Sequence, residues 1–423
     1  MISEREAYVY ITLPGDVTPV TAGKFALEPL PDGSGIGRFV YARSYLERGD
    51  AVAIDPVELK LKDHVYETGK MNGMFGAIRD ATPDFWGRTL LERRFPGETL
   101  GELDYLLRSP DDHIGALGFG RDMWPSDPAP SGSAFNNVTT LEAFQEIADE
   151  IAFGKPGEQG VKGSLKVRIE TLLMPGTSMG GARPKMQILY EDDLWIAKCN
   201  LKEDRWNNAL VELAMLRLAK QCGIRVPETR AIKAGGRDVL LVKRFDRANA
   251  GNGFRKHRMV SGLTILQAED RVADRERWSY PTLAETLRKF SAAPAEDARE
   301  LYRRMVFNAL ISNTDDHPRN HAFIAEDGWR LSPAYDLTPT PLVSIERRDL
   351  AMICGTQGRF ANEKNLLSES RRFLTDPEEA KNMVENMAAT VRAKWEKTAR
   401  LHGVSKEDCN RIRPAFAYEG FFL

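Results

Sequence analysis

The chain has few cysteines and no pattern among them. Cys199, Cys222, Cys354 and Cys409 are scattered over 423 residues without a Cys-x-x-Cys pair. That argues against a disulfide frame or a cysteine zinc site and for the reduced thiols of a cytoplasmic protein. No apolar run reaches the ~18 residues a membrane span needs. The start, "MISEREAYVYITLPG", has neither the basic flank nor the apolar stretch of a secretion signal. Strong charge of one sign is missing too. A formal net charge of −2 gives no global basic field to draw nucleic acid, though it leaves room for a local basic face. Internal repeats and low-complexity tracts are absent. What remains is ordinary globular composition, 42% hydrophobic and 28% charged, on a chain long enough for two or three domains.

From Ala7 to about Leu61, "AYVYITL", "GRFVYA" and "AVAID" read as strands separated by Gly, Pro and Asp turns. "NGMFGAIRDATPDFWGRTLLERRF" is helical in its later part, starting near Thr82 or Asp84 with Pro83 tolerated there. "LGELDYLLRS" is a second short helix and "IGALGFG" a Gly-softened strand. Residues 124–137 form a Pro-, Ser- and Gly-rich linker, and "TLEAFQEIADEIAFG" a further helix. "SMGGARPKMQILYEDDLWIAKCN" reads as a Gly-rich loop, a strand, a turn at Glu191 to Asp193 and a second strand. "NNALVELAMLRLAKQCGI" is a helix ending at Cys222-Gly223, and "ETRAIKAG" with "RDVLLVKRFDR" is a hairpin. From about residue 260 the pattern is mostly helical. The expected fold class is α+β in three parts: a β-rich segment over 1–124, a small lobe over 125–248 and an α-helical lobe over 249–423. A small β lobe joined to a larger α lobe is the layout of a protein kinase, which at this level is analogy.

The segment "ISNTDDHPRNHAF", residues 311–323, crowds two carboxylates, two amides and two imidazoles into thirteen positions. Asp315 and Asn320 stand five apart, the D-x-x-x-x-N spacing of a kinase catalytic loop. There a carboxylate faces the attacking hydroxyl while an amide oxygen one turn of loop away holds a metal ion. Asp and Asn also favour turns, so this spacing alone leaves both readings open. "SNT" stands where kinases carry His-Arg. Asp336 closes the strand-like "RLSPAYDLTP", a setting in which kinases keep a second metal-binding Asp; the alternative is a turn before Pro339. Hard Mg²⁺ needs only one or two carboxylates beside phosphate oxygens, so one Asp with an Asn is a sufficient set.

Lys198 ends "DLWIAKCN" on the strand face of Leu194 and Ile196. An inward ammonium calls for an anion, such as nucleotide phosphates with Glu212 as ion partner; otherwise it snorkels to water. "SMGGARPK", residues 178–185, is neither Walker A nor G-x-G-x-x-G. Gly180 and Gly181 nevertheless let backbone amides approach phosphate, and Lys185 adds charge. His317 and His321 are read as hydrogen-bonding within their loop rather than as metal ligands.

In this order the segments resemble the HipA family of bacterial serine/threonine kinases, the toxins of HipA–HipB toxin–antitoxin pairs. "SMGGARPKM" is similar to the family's phosphate loop, "WIAK" to its lysine strand and "VKRFDR" to the strand lining the adenine pocket. "NTDDHPRNHAF" resembles the catalytic loop and "LSPAYDLTPTP" the metal-binding segment; "RDATPDFWGRTLLERR" resembles part of the β-rich amino-terminal subdomain. The resemblance implies a two-lobed, protein-kinase-like fold with an all-α carboxy-terminal lobe, and ATP and Mg²⁺ as cofactors. By position it implies that Asp315 orients or deprotonates the acceptor hydroxyl and that Asn320 and Asp336 bind Mg²⁺. Lys198 then contacts the ATP phosphates, paired with Glu212 and helped by Lys185 and the backbone of Ser178, Met179, Gly180, Gly181 and Ala182. Lys243, Arg244 and Phe245 lie along the adenine, and autophosphorylation of Ser178 shuts the enzyme off. It further implies a dimeric, DNA-binding HipB-like antitoxin, contact with DNA only through that partner, no membrane, and a protein substrate. The family precedent for the substrate is an aminoacyl-tRNA synthetase, glutamyl-tRNA synthetase above all. Two departures stand out. "CNLKEDRWNNALVE" is shorter than the activation segment of the best-known member, and Arg183-Pro184 replaces a Gln-Glu pair. A small-molecule phosphotransferase and a mainly regulatory co-repressor are the rival readings.

Overall fold

The computed structural model of the protein describes residues 5–83, 85–110, 113–126, 135–153, 183–341 and 344–422. Asp84, most of the expected linker and the loop residues Ser178, Met179, Gly180, Gly181 and Ala182 lie outside the described residues. Contacts divide the chain into two compact units. One joins residues 1–203 with 232–260, the other 204–231 with 261–423.

The first unit opens with a five-stranded sheet, β1 (Glu6–Thr12), β2 (Pro19–Pro29), β3 (Gly35–Tyr41), β4 (Val65–Thr68) and β5 (Leu117–Gly120), in the order β4-β3-β2-β1-β5. Period-two alternation buries Phe39 and Tyr41 on β3 and leaves Arg38 and Val40 outside. Gly37 is required there, because a Cβ at that position would meet the carbonyl oxygen of Gly73 at 1.8 Å. The strand expected over "AVAID" does not form. Residues 51–55 are irregular, and tyrosine hydroxyls take the bonds a ladder would have made. Tyr45 Oη accepts from Val52 N at 3.1 Å and Tyr41 Oη from Ile54 N at 2.9 Å. The Asp55 carboxylate then accepts from the amides of Val57, Glu58 and Leu59, turning the chain at Pro56.

Helices α1 (Phe85–Arg94), α2 (Glu102–Arg108) and α3 (Leu141–Phe153) follow, close to their expected limits. A second sheet is built from β6 (Lys185–Tyr190), β7 (Asp193–Cys199), β8 (Thr229–Ala234) and β9 (Arg237–Lys243), in the order β6-β7-β9-β8. Glu191 and Asp192, with φ of 48° and 63°, form the two-residue turn between β6 and β7. One face of this sheet, with Met186, Ile188, Trp195, Ala197, Cys199, Val239 and Leu241, packs on Phe144 and Ile147 of α3 and Trp86 of α1. That periodicity turns the intervening residues of β7, Ile196 and Lys198, to the opposite face.

The second unit is built on α4 (Asn208–Gln221), α5 (Tyr280–Leu287), α6 (Pro294–Leu310), α7 (Pro377–Leu401) and α8 (Lys406–Ile412). Sequence signals fix their starts: Asn207 caps α4, Ser279 caps α5 ahead of Pro281, and Asp376 caps α7 ahead of Pro377. This lobe is not wholly helical as expected. β10 (Ala322–Ala325) pairs antiparallel with β11 (Trp329–Leu331). β11 also stops at Leu331, so Asp336 does not end a strand but follows a stretch without ladder bonds.

Two consequences can be measured. Burial pushes the Cys199 and Cys354 thiols up to about 12, and Cys409 is buried too. Iodoacetamide at pH 8 should therefore leave all three unmodified in the native chain and label them once it is denatured, as read by peptide mass spectrometry. Burial likewise pushes the Asp55 carboxyl up to about 6, against its backbone donors. Between the ordinary carboxylate range and pH 6 the folded chain then holds a proton the unfolded chain has lost, so stability falls as pH rises through that window. The melting temperature of Asp55→Asn relative to wild type should rise between pH 4 and pH 7; a constant difference excludes the buried proton.

Candidate functional site

In the first unit the β6–β7 register sets Lys185 directly opposite Lys198, which also faces Leu240 of β9. Lys185 is buried, 7% exposed, and Lys198 half-buried. Like charges directly opposite each other on a sheet repel. Lys243 lies opposite Trp195, three residues back along β7, and its ammonium rests on the Asp193 carboxylate. Arg244 is buried. Its guanidinium donates to Asp246 at 2.9 and 2.7 Å, to Gln187 and to the His113 carbonyl. Arg247 joins the cluster, donating to Asp246 and to the carbonyls of His113 and Gly115. Burial opposes ionisation of Asp246, but the two guanidiniums outweigh it and hold the carboxyl well below its usual range. The Arg244 side chain thus holds the end of β9 to the 113–115 segment. Phe245, half-buried, follows it in the turn.

In the second unit, α6 hands the chain to the polar loop through Ser312, in the left-handed region with φ of 52°. Asp315 is exposed and Asp316 buried. The loop is bonded to itself: His317 N donates to Asp315 O at 2.8 Å and Asn320 N to His317 O at 2.9 Å. Asn320 Nδ2 donates to Asp315 O at 3.2 Å. That bond engages the amide nitrogen, and the remaining Oδ1 is an oxygen of the kind that suits a hard cation. Asp336 is half-buried, with φ of 54°. Three hydrogen bonds tie its segment to the loop: Asn313 Nδ2 to Asp336 O at 3.2 Å, Tyr335 Oη to Arg319 O at 2.7 Å, and Thr340 N to Ser312 O at 3.1 Å. The segments carrying Asp315, Asn320 and Asp336 are therefore brought together. Oxygen donors from a carboxylate and an amide fit Mg²⁺. Among the described residues, no group of three or more His, Cys, Asp or Glu side chains could hold a metal ion.

The support lies in α6. Asp297, Glu300, Arg304 and Asn308 follow a spacing of three and four, so they share one helix face, and all are buried. Asp297 accepts from Leu331 N at 3.0 Å, from Ser291 and from the guanidiniums of Arg225 and Arg330. Glu300 accepts from Arg225 N and Arg304, which in turn donates to Ser332 O. Arg225 O accepts from Ala334 N at 2.8 Å. These groups replace the ladder that the chain loses after β11. Arg348 holds the other end, with Ser312 Oγ and the carbonyls of Pro414 and Ala415 around its guanidinium. Gly262 lets the loop pack closely, since a Cβ there would meet Pro318 O at 2.7 Å.

His321 Nε2 lies 2.8 Å from Asp316 Oδ2, which also accepts from the Tyr280 hydroxyl. Burial, with Asp316 beside it, raises the Tyr280 phenol well above its ordinary range, so it stays a donor. Glu212 is buried on α4, in the second unit. Asp316 and the α6 stripe were missed in the sequence. The signal for the stripe was available, as polar residues at helical spacing inside an apolar helix.

The chain is thus an α+β protein whose polar residues gather in two places, a lysine pair on a sheet and an acid–amide loop on a helical support. It belongs to the HipA-like family: the HipA-like C-terminal domain matches residues 177–395, just over half of its length. The chain is 32% identical over 209 residues to "Putative kinase Y4mE" of Sinorhizobium fredii, covering 45% of this chain and 48% of that protein. It is 26% identical over 202 residues to the "Serine/threonine-protein kinase toxin HipA" of Shewanella oneidensis, covering 42% and 46%. The chain spans about half the length of these curated relatives. The fold matches a chain of the solved Shewanella oneidensis complex of HipA, HipB and operator DNA, with a TM-score of 0.68 at 17% identity, over 96% of this chain and 94% of that one. The family and fold class expected from the motifs are borne out.

Removing Asp297 strands several donors in a buried site. Asp297→Ala should cost about 3 kcal/mol, read as a lower urea midpoint. It should also speed amide exchange at Leu331 and Ala334, and unchanged exchange there refutes the support role.

Proposed function

We propose that the chain is an ATP- and magnesium-dependent kinase transferring phosphate to a serine or threonine hydroxyl of a protein. The carrying observation is the loop of Asp315 and Asn320 hydrogen-bonded to the segment of Asp336, with the Asn320 amide fixed by its own loop. Such catalysis is mostly positioning plus charge neutralisation. Magnesium, when bound, neutralises phosphate charge, with Asn320 Oδ1 and the Asp336 carboxylate as its protein ligands. Asp315, exposed at the loop, aligns the acceptor hydroxyl and takes its proton. Lys198 and Lys185 supply the cationic face for the phosphates, assisted by the backbone of residues 178–182, and Glu212 is the acidic partner assigned to Lys198.

Along the adenine, the reading leaves Phe245 and the backbone at Lys243 and Arg244. The Arg244 guanidinium is already committed to Asp246, which narrows the role expected of it. The three-part division at about residues 124 and 248 is kept as a division by role: an amino-terminal subdomain, a nucleotide lobe and a catalytic lobe. Names of relatives support a kinase, and the Shewanella complex supports a HipB-like, DNA-binding partner through which this chain would meet DNA. Autophosphorylation of Ser178 as an off-switch, growth inhibition and an aminoacyl-tRNA synthetase substrate complete the reading.

Asp315→Ala should lower phosphotransfer from magnesium-ATP by about 10²–10⁴-fold while leaving the melting temperature within a few degrees of wild type. Phosphoproteomes of cells expressing each form should differ at protein serines or threonines, and peptide mass shifts should place phosphate on Ser178. Equal transfer by both forms refutes the role of Asp315. Phosphate found only on a small molecule moves the chain to the phosphotransferases.

A further inference from the structure

The loop carries two adjacent carboxylates, and the proposed chemistry uses only one. Asp315 is exposed; Asp316 is buried and reaches no phosphate or metal position assigned above. Its Oδ2 ends a line of hydrogen bonds with a single direction. Tyr280 Oη donates to Asp316. Asn308 Nδ2 donates to Tyr280 Oη at 3.3 Å. Asn313 Nδ2 donates to Asn308 Oδ1 at 3.1 Å, and the same amide nitrogen donates to the Asp336 carbonyl at 3.2 Å. His321 closes the arrangement with its 2.8 Å contact on Asp316. Tyr280, Asn308, Asn313, Asp316 and His321 are all buried, so water cannot substitute for a lost partner.

Each bond in the line fixes the next. An ionised carboxylate only accepts, so the Tyr280 hydrogen must point at Asp316. Tyr280 Oη is then free to accept, which holds the Asn308 amide with Nδ2 toward it and Oδ1 toward Asn313. Both hydrogens of Asn313 are thereby committed, one to Asn308 and one to the Asp336 carbonyl. Without the carboxylate, the phenol hydrogen can turn to Asn308 and reverse that amide. Asn308 Nδ2 would then face Asn313 Nδ2, two donors together, and the bond to Asp336 would be lost. Chains of this kind also polarise and strengthen one another in a low dielectric.

We propose that Asp316 is a positioning residue whose buried carboxylate sets the direction of this chain and so holds the Asp336 segment against the Asp315–Asn320 loop. Its kinetic arm rests on the kinase reading; its structural arm does not. In Asp316→Leu, amide exchange over residues 335–340 should quicken tenfold or more. ADP release from magnesium-ATP should fall tenfold or more, with the ATP KM within twofold of wild type. Asp316→Asn keeps an acceptor oxygen toward Tyr280 and His321 and should restore both to within threefold.

Unchanged exchange over 335–340 in a folded Asp316→Leu chain overturns the proposal, as does an Asp316→Asn variant as impaired as Asp316→Leu. Should Asp316→Leu lose its native circular dichroism, Tyr280→Phe, which breaks the same line by one hydroxyl, decides by the same two readouts. Absence of ADP release from the wild-type chain would count against the kinase reading alone, and the exchange measurement would still decide the role of Asp316.

Discussion

Backbone that leaves a ladder inside a protein must find other partners, and the second unit is organised around that constraint. After Ser332, whose amide still donates to the Ala322 carbonyl at 2.8 Å, the chain runs to Thr340 without regular hydrogen bonds, yet much of it is buried. An unpaired buried amide or carbonyl costs on the order of 1–3 kcal/mol. α6 meets the requirement with a polar stripe, in which Asp297 binds the amide of Leu331 and Arg304 the carbonyl of Ser332. Asn313 then takes the carbonyl of Asp336. Regular structure would have been easier to stabilise, but its alternation could not set Asp336 in a left-handed conformation beside a loop of different register.

The same buried surroundings separate residues that look alike in the sequence. Asp315 and Asp316 are adjacent, yet one meets water and the other meets Tyr280 and His321. Lys198 lies near the end of β7 and Arg244 just beyond the end of β9. Arg244 is neutralised by Asp246 within its own unit, whereas Lys198 is set against a second ammonium, Lys185. A paired charge of the first kind holds structure together. In the proposed function the second kind faces phosphate, so the one arrangement braces the fold and the other is assigned to binding.

Much of the fold was legible because its signals are local. The cap and proline at Asp376-Pro377, the Cys222-Gly223 stop and the alternation in "KMQILY" and "DLWIAKC" each state a local preference, and the structure follows them. "AVAID" failed because its pattern is a strand's while its backbone partners are the hydroxyls of Tyr41 and Tyr45, which the pattern does not contain. "RLSPAYDLTP" failed for a related reason: a strand reading carries through to Asp336 only if a neighbouring strand continues, and none does.

The candidate site divides in the same way. The spacing of Asp315 and Asn320 and the isolated Asp336 were visible as residue types that soluble chains seldom collect without cause. Which of the two adjacent acids faces outward, which amide hydrogen holds which carbonyl, and where the Arg244 guanidinium goes were not. By itself the sequence determined most of the elements, their order and the kind of chemistry its side chains can perform, because propensity and residue type act over a few neighbours. Tertiary structure alone decided orientation, exposure and pairing, because those depend on partners such as Tyr280, Asn308 and Asp297 that approach only once α5 and α6 are packed.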